Sequence, residues 1–387
     1  MKILAVLTYY RPHTSGLTIY AERLARAFVR RGHQVTVMTA QYDKSLPRQE
    51  TLDGVKIIRV PVAMRVSKGV LAPTFGWVAT QLVAQHDVAL LHLPQFDAPG
   101  VALRARLFGK PAVLTYHCDL DLPPGLFNRI VNAVVRFQNN LAGILSNHIV
   151  TYTQDYADHS PYLTRFRHKL TPILPPVELP TPPPGAIADF ARAYATATRR
   201  PVIGMATRFA SEKGVEILLE ALPAVLGKYP HAQVLFAGQY QNVMGEQAYF
   251  ERLKPQIQKY EASGGWKFLG NLDLEKMAAY YPNLDLLVVP SLNSTEAFGL
   301  VQIEAMLNGV PCIASALPGV RRPAQMHNMG EVTPIGDAPA LADALLKVIA
   351  HRADYRCDTA ELARTYDPDS VAVEYEKLFD RLKKKGK

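Results

Sequence analysis

From end to end the chain alternates short runs of Val, Ile and Leu with longer segments of helical periodicity, and that alternation restricts it to few folds. Each run followed by a turn and an amphipathic segment is a βα unit, and such units assemble around a parallel sheet. In the first half strands are expected at Ile3–Thr8, Gln34–Thr39, Val55–Val60, Val88–Leu93, Ala112–Tyr116 and Ile149–Tyr152. In the second they are expected at Val202–Ala206, Gln233–Ala237, Lys267–Leu269, Leu284–Val289 and Cys312–Ala314. Two α/β layers follow. Between them Thr171–Gly185 is rich in proline, which fixes φ and removes backbone donors, so neither a helix nor a central strand is expected there.

At 387 residues the chain has the length of two domains. The expected division is 1–171, a linker at 172–185, a second domain at 186–366, and a terminal helix with a basic tail at 367–387. A content of 48% hydrophobic and 20% charged residues excludes a largely disordered chain. Forty-three Lys and Arg against 34 Asp and Glu leave +9, which favours anionic partners; nucleotides, phospholipids and nucleic acid all satisfy that condition. Cys118, Cys312 and Cys357 lie too far apart in sequence for a zinc or redox pair, so reduced thiols in a cytoplasmic protein are expected. Met1–Thr8 is too short an apolar run for a signal peptide, and nothing reaches the roughly 18 apolar residues of a membrane span.

Two helical segments bear on partners. Residues 369–384 place Val371, Tyr375, Leu378 and Leu382 on one face, ahead of Lys383, Lys384 and Lys385, which read as a solvated tail rather than a binding site. Leu126–Leu145 interleaves Leu126, Phe127, Ile130, Val134, Val135, Phe137 and Leu141 with Arg129 and Arg136. An ordinary helix packed on the sheet is the expectation. Peripheral contact with an anionic membrane is the other reading.

Three constellations carry chemistry. The segment Pro290–Glu304 follows an apolar strand, with Glu296 in a polar loop, Gly299 at the entrance to a helix, and Glu304 eight positions beyond Glu296, about two turns by the 3.6-residue period. The two carboxylates then serve different points of one elongated ligand, or one caps the helix while the other is solvated. The second, Gly204–Gly214, brings Arg208 and Lys213 to the end of a strand, where a pyrophosphate would lie; Arg-to-Glu pairing inside the loop is the plain alternative. The third joins Arg11–Gly16 with Leu114–Asp119, placing Gly16 and His117 at strand ends. Asp119 and Asp121 are spaced as metal ligands are, yet a solvated turn accounts for them, and no metal is expected.

At these residues the chain resembles the retaining nucleotide-sugar glycosyltransferases of family 4, also called group 1. The resemblance rests on Gly16, Thr115-Tyr-His117, Arg208 with Lys213-Gly214, Phe268-Leu-Gly270, and Glu296 to Glu304, and covers nearly the whole chain. It implies the GT-B fold, two Rossmann-like domains facing across a cleft, with a C-terminal helix crossing back to the first domain. It also implies transfer of a hexose-type sugar from a nucleoside-diphosphate sugar to a hydroxyl of a glycan or lipid acceptor, in glycan or glycolipid biosynthesis, with no cofactor, no metal and no nucleic-acid partner.

Carried over by resemblance, Arg208 and Lys213 bind the diphosphate, Glu296 orients the sugar, and Glu304 accepts hydrogen bonds from the ribose. Phe298, Gly299 and Leu300 contact sugar and phosphate. Phe268, Leu269, Gly270 and Asn271 hold the base, His117 touches the sugar, and Gly16 lets its loop approach the phosphates. Two stretches depart from the family: Ser15-Gly16 replaces a pair of glycines, and Leu317–Pro323 replaces a Gly-Gly followed by an acid. Neither names the donor sugar.

Other classes are a nicotinamide dehydrogenase, an epimerase of the same architecture, and a silent nucleotide-sugar-binding protein. The first lacks its glycine-rich turn after either domain's first strand. Products formed from donor alone separate the other two from a transferase.

Overall fold

A computed structural model of the chain describes residues 1–66, 69–120 and 125–385. The chain divides into two compact units, Met1–Val177 together with Arg364–Lys387, and Glu178–Ala363. The division falls inside the proline-rich segment. The final helix, Pro368–Lys385, belongs to the first unit.

In the first unit the strands are β1 (Lys2–Val6), β2 (Gln34–Gln41), β3 (Gln49–Leu52), β4 (Val55–Pro61), β5 (Met64–Val66), β6 (Gly69–Leu71), β7 (Val88–Leu93), β8 (Ala112–Tyr116), β9 (His148–Thr151) and β10 (Leu170–Pro172). Eight of them form one sheet in the order β10-β9-β8-β7-β1-β2-β4-β3, parallel except for β3, while β5 and β6 pair separately. Both β7 and β8 are buried at every position, as expected of strands covered on both faces.

Five strands, β3, β5, β6, β10 and β16, go beyond the sequence expectation. Strand β3 is too polar to read as a strand; it exists because Asp53 and Gly54, at φ 50° and 78°, make a tight hairpin back from β4. The pair β5–β6 is short and likewise carries no clear apolar run. Strand β10 takes Pro172 out of the expected linker. A proline fits there because β10 is the sheet's last strand.

Helix α1 (Gly16–Arg30) is capped by Ser15, whose hydroxyl accepts the Thr18 N–H at 3.2 Å, and it buries Tyr20, Leu24, Ala27 and Phe28 along one stripe. The final helix lies against it. Val371, Tyr375, Leu378 and Phe379 are buried, while Glu376 accepts from Arg31 at 2.6 and 2.8 Å and pairs with His33 at 2.8 Å. The Tyr375 hydroxyl reaches Tyr20 at 2.7 Å and Thr115 at 2.9 Å. Of the basic tail, Lys383 lies 3.9 Å from Asp87, and the side chain of Lys385 is outside the described residues.

Helices α2 (Phe75–Gln85), α3 (Ala98–Leu107) and α4 (Leu126–Leu145) follow one another on this unit, α3 packing between α2 and α4. Helix α4 has the expected span but not the expected orientation. Leu126, Ile130, Val134 and Phe137 are exposed, and Asn139, Ala142 and Gly143 are buried; the side chain of Phe127 is outside the described residues.

The second unit holds β11 (Val202–Ala206), β12 (Gln233–Ala237), β13 (Trp266–Gly270), β14 (Leu286–Val289), β15 (Cys312–Ser315) and β16 (Gly330–Thr333), all parallel, in the order β13-β12-β11-β14-β15-β16. That is the doubly wound order, and the direction of winding reverses between β11 and β14. Ile203, Met205, Leu218, Phe236, Leu286, Ile313 and Leu345 sit in its core.

Replacing Tyr375 by Phe leaves the buried Tyr20 and Thr115 hydroxyls each one partner short. A loss of about 1–2 kcal/mol is expected in chemical denaturation, with unchanged far-UV circular dichroism.

Candidate functional site

The second unit gathers its chemistry where the winding reverses. Two segments leave the C-terminal ends of the adjacent strands β11 and β14, 207–214 and 290–299, and they are joined backbone to backbone. The Leu292 N–H donates to the Glu212 carbonyl at 2.8 Å. Gly214 stands at φ 67°, and a Cβ there would lie 2.1 Å from the Pro290 carbonyl oxygen. Only glycine allows that approach.

The side chains follow from this junction. Lys213 donates to Glu296 at 2.8 Å, linking the two loops, with both side chains mostly shielded. Arg208 pairs with Glu212 four residues on, so the plain alternative of an Arg–Glu pair inside the loop is what the structure holds. The Glu296 loop is shaped by Asn293, whose side-chain oxygen accepts from the backbone N–H and the hydroxyl of Thr295. Gly299, at φ 78°, ends the loop and starts the helix Leu300–Met306.

Glu304 is therefore one turn into that helix, not two, because the helix begins only at Leu300. It is 6% exposed and accepts the Tyr281 hydroxyl at 2.6 Å. Phe298 is buried. The departing stretch Leu317–Pro323 packs on the same helix: the Gln302 amide donates to the carbonyls of Val320 at 2.9 Å and Phe298 at 2.8 Å.

Phe268, Leu269 and Gly270 lie within β13, and only Asn271 is in a loop. The Phe268 ring stacks on Tyr240, centroids 4.1 Å apart and 8° from parallel, inside an aromatic group with Phe209, Phe236 and Phe250. Tyr240 and Tyr281 are neighbours that the sequence reading did not single out. Tyr240 and Tyr281 sit in no local motif, so no sequence signal marks them.

In the first unit Gly16 opens α1 with nothing within 4 Å of where its Cβ would stand. His117, just beyond β8, is 5% exposed, and both ring nitrogens are engaged: Nε2 with His92 Nδ1 at 2.9 Å, and Nδ1 with the Tyr152 hydroxyl. Tyr20 meets the ring edge-on at 4.9 Å. Burial pushes His117 well below the usual histidine range, helped by His92, and burial lowers His92 to about 3. Asp119 accepts from the hydroxyls of Tyr116, Tyr156 and Ser160, which gives it a structural role; Asp121 lies outside the described residues. Among the described residues, no group of three His, Cys, Asp or Glu is gathered as a metal site. Cys118, Cys312 and Cys357 form no disulfide among the described residues.

Two family models match this chain, Glycosyl transferase 4-like domain over residues 15–175 and Glycosyl transferases group 1 over residues 187–365. The chain belongs to the group 1, family 4 glycosyltransferases. It is 27% identical to a phosphatidyl-myo-inositol mannosyltransferase of Mycobacterium leprae, across all of this chain and 98% of that one. It is 28% identical to a 2-deoxystreptamine N-acetyl-D-glucosaminyltransferase of Streptomyces fradiae, across 94% of this chain and 90% of that one. Among solved structures, Anabaena HepE in complex with UDP and glucose matches 98% of this glycosyltransferase and all of its own chain, with TM-score 0.76 and 19% identity. Sucrose-phosphate synthase from Thermosynechococcus elongatus matches 98% of both chains with TM-score 0.75 and 22% identity. The fold is GT-B, built from two Rossmann-like units.

The neutral histidines give the glycosyltransferase a pH signature. In the unfolded chain His92 and His117 take up protons below about pH 6.5, whereas in the folded unit they do not. The unfolded state then binds more protons, so stability falls as pH falls, by about 1.4 kcal/mol per pH unit per histidine. His13, His86 and His327, also lowered by burial, act in the same direction; Asp97, raised to about 6 by burial, opposes them. The denaturation midpoint is expected to drop from about pH 6.5 to about pH 5, with a shallower slope in His92→Gln.

Proposed function

We propose that this glycosyltransferase moves a hexose from a nucleoside-diphosphate sugar to a hydroxyl of a lipid-linked or glycan acceptor, with retention of anomeric configuration and without a metal. The observation that carries the donor assignment is the Lys213–Glu296 pair joining two strand-end loops where the winding reverses, with Arg208 beside it on the first loop. As the bond from the anomeric carbon to the diphosphate oxygen breaks, negative charge builds on the departing group. Cations already held in place stabilise that charge without reorganising. The diphosphate exchanges with Glu212 and Glu296 for Arg208 and Lys213, which frees the Glu296 carboxylate to accept sugar hydroxyls.

The acceptor oxygen bonds to the anomeric carbon on the face the diphosphate leaves, and its proton passes to the departing phosphate. The remaining positions have distinct tasks in this reading. Glu304, fixed by Tyr281, accepts from the ribose; Phe298, Gly299 and Leu300 contact sugar and phosphate; Phe268, Leu269, Gly270 and Asn271 receive the base. Gly16 leaves room for the phosphates, and His117 faces the sugar as a neutral ring fixed by its partners. The lipid-linked acceptor is supported by the Mycobacterium leprae relative, whose name specifies phosphatidyl-myo-inositol. An enzyme with such an acceptor works at a bilayer surface.

Thermal stabilisation and slow nucleoside-diphosphate release, measured across uridine-, guanosine- and adenosine-diphosphate sugars, identify the donor. Lys213→Ala is expected to lower kcat by about a hundredfold or more while the fold persists; unchanged kinetics would remove its assigned role. The Cβ of Gly16→Ala meets no protein atom, so the variant should raise KM for the donor without lowering the melting temperature. Glu304→Gln keeps the shape and is expected to weaken nucleoside-diphosphate binding in titration.

A further inference from the structure

Helix α4 carries Leu126, Ile130, Val134, Phe137, Leu141 and Ile144 at intervals of four or three, a single stripe on a 3.6-residue helix. An apolar stripe of this kind ordinarily faces a core. Here Leu126 is 78% exposed, Phe137 66% and Ile144 60%, whereas Asn139, Ala142 and Gly143 on the opposite side are buried. Arg129 and Arg136 fall together along one edge of the stripe, and both are exposed.

The surface continues onto α2 and α3. A recess of about 290 Å³ lies among the three helices, lined by Leu141 and Leu145 of α4, Phe75 and Ala79 of α2, and Leu103 and Arg104 of α3. Exposed Trp77 follows the lining residue Gly76, and exposed Leu107 stands one turn beyond Leu103. Charge is as one-sided as shape. The three helices contain four arginines, Arg104, Arg106, Arg129 and Arg136, and no Asp or Glu; the recess has one carboxyl, that of Asp97 just before α3.

We propose that the α2–α3–α4 face docks the enzyme on a bilayer containing anionic lipid, the α4 stripe entering the interface and the arginines meeting lipid phosphates. Interfacial helices are held by this combination of apolar burial and cationic attraction. A second copy of the chain fits less well, because a two-fold interface sets each patch against itself and would bring arginine toward arginine. The proposal rests on the lipid-linked acceptor reading and adds the surface by which the enzyme reaches it.

The test uses the full chain and vesicles of phosphatidylcholine with phosphatidylglycerol in a two-to-one ratio, compared with phosphatidylcholine alone, by flotation at low and high salt. Binding to the anionic vesicles, weakened by salt, is expected. The protein also carries its own probe, since its two tryptophans are Trp77, 66% exposed, and Trp266, 2% exposed. Vesicles should shift the emission to the blue in the wild type and not in Trp77→Phe. Ile130→Asp with Phe137→Asp should reduce binding more than tenfold, and Arg129→Ala or Arg136→Ala about fivefold each.

All these positions are exposed, so folding is retained, and slow donor hydrolysis without vesicles stays at the wild-type rate. That separates the two readings: loss of donor turnover bears on the transferase assignment, and loss of vesicle binding bears on the surface. Wild-type protein that stays off anionic vesicles at low salt overturns the proposal. So does undiminished binding by the double variant, or a solution dimer that Phe137→Asp dissociates.

Discussion

The second unit depends on one close approach. Where β11 and β14 end side by side, the chain at Gly214 presses onto the Pro290 carbonyl, a contact no side chain could survive. With the two loops fixed in that way, a lysine on one and a glutamate on the other meet at hydrogen-bond distance. The pair is thus a consequence of backbone packing, and its orientation does not depend on a ligand. For chemistry in which charge appears on a departing diphosphate, cations held in advance are worth more than cations that must be recruited.

The first unit is organised around a different constraint, the burial of polar rings. His117, His92, Tyr152, Tyr20 and Tyr375 satisfy one another through short hydrogen bonds and edge contacts, in a region where an unmatched polar atom is costly. Burial favours the uncharged imidazole, so these histidines act as fixed dipoles rather than as proton donors near neutrality. The last helix takes part through Tyr375, which ties the end of the chain to the beginning of this unit.

Much of this was readable from the residues. Strands β7, β8, β11 and β12 were bounded correctly because continuous apolar runs flanked by turns have few other uses. The motif loops after β11 and β14 were placed for the same reason, each beginning where a run stops. Strand β3 escaped because pairing through a tight Asp-Gly turn, rather than hydrophobicity, makes it a strand. Phe268 falls in the expected strand, but its stacking on Tyr240 was not legible, because that partner is distant in sequence and stacking leaves no local trace.

The sequence alone determined the βα alternation, the division near the prolines, and the presence of glycines and cations at strand ends, because periodicity and backbone chemistry act over a few residues. It could not determine partners. Whether Arg208 stands clear or pairs with Glu212 is set by contacts that only the folded chain brings together. The α4 stripe makes the point most sharply. Spacing reveals that a helix has an apolar face, but not whether that face points to the core or to solvent, and here the packing of its opposite side turned it outward.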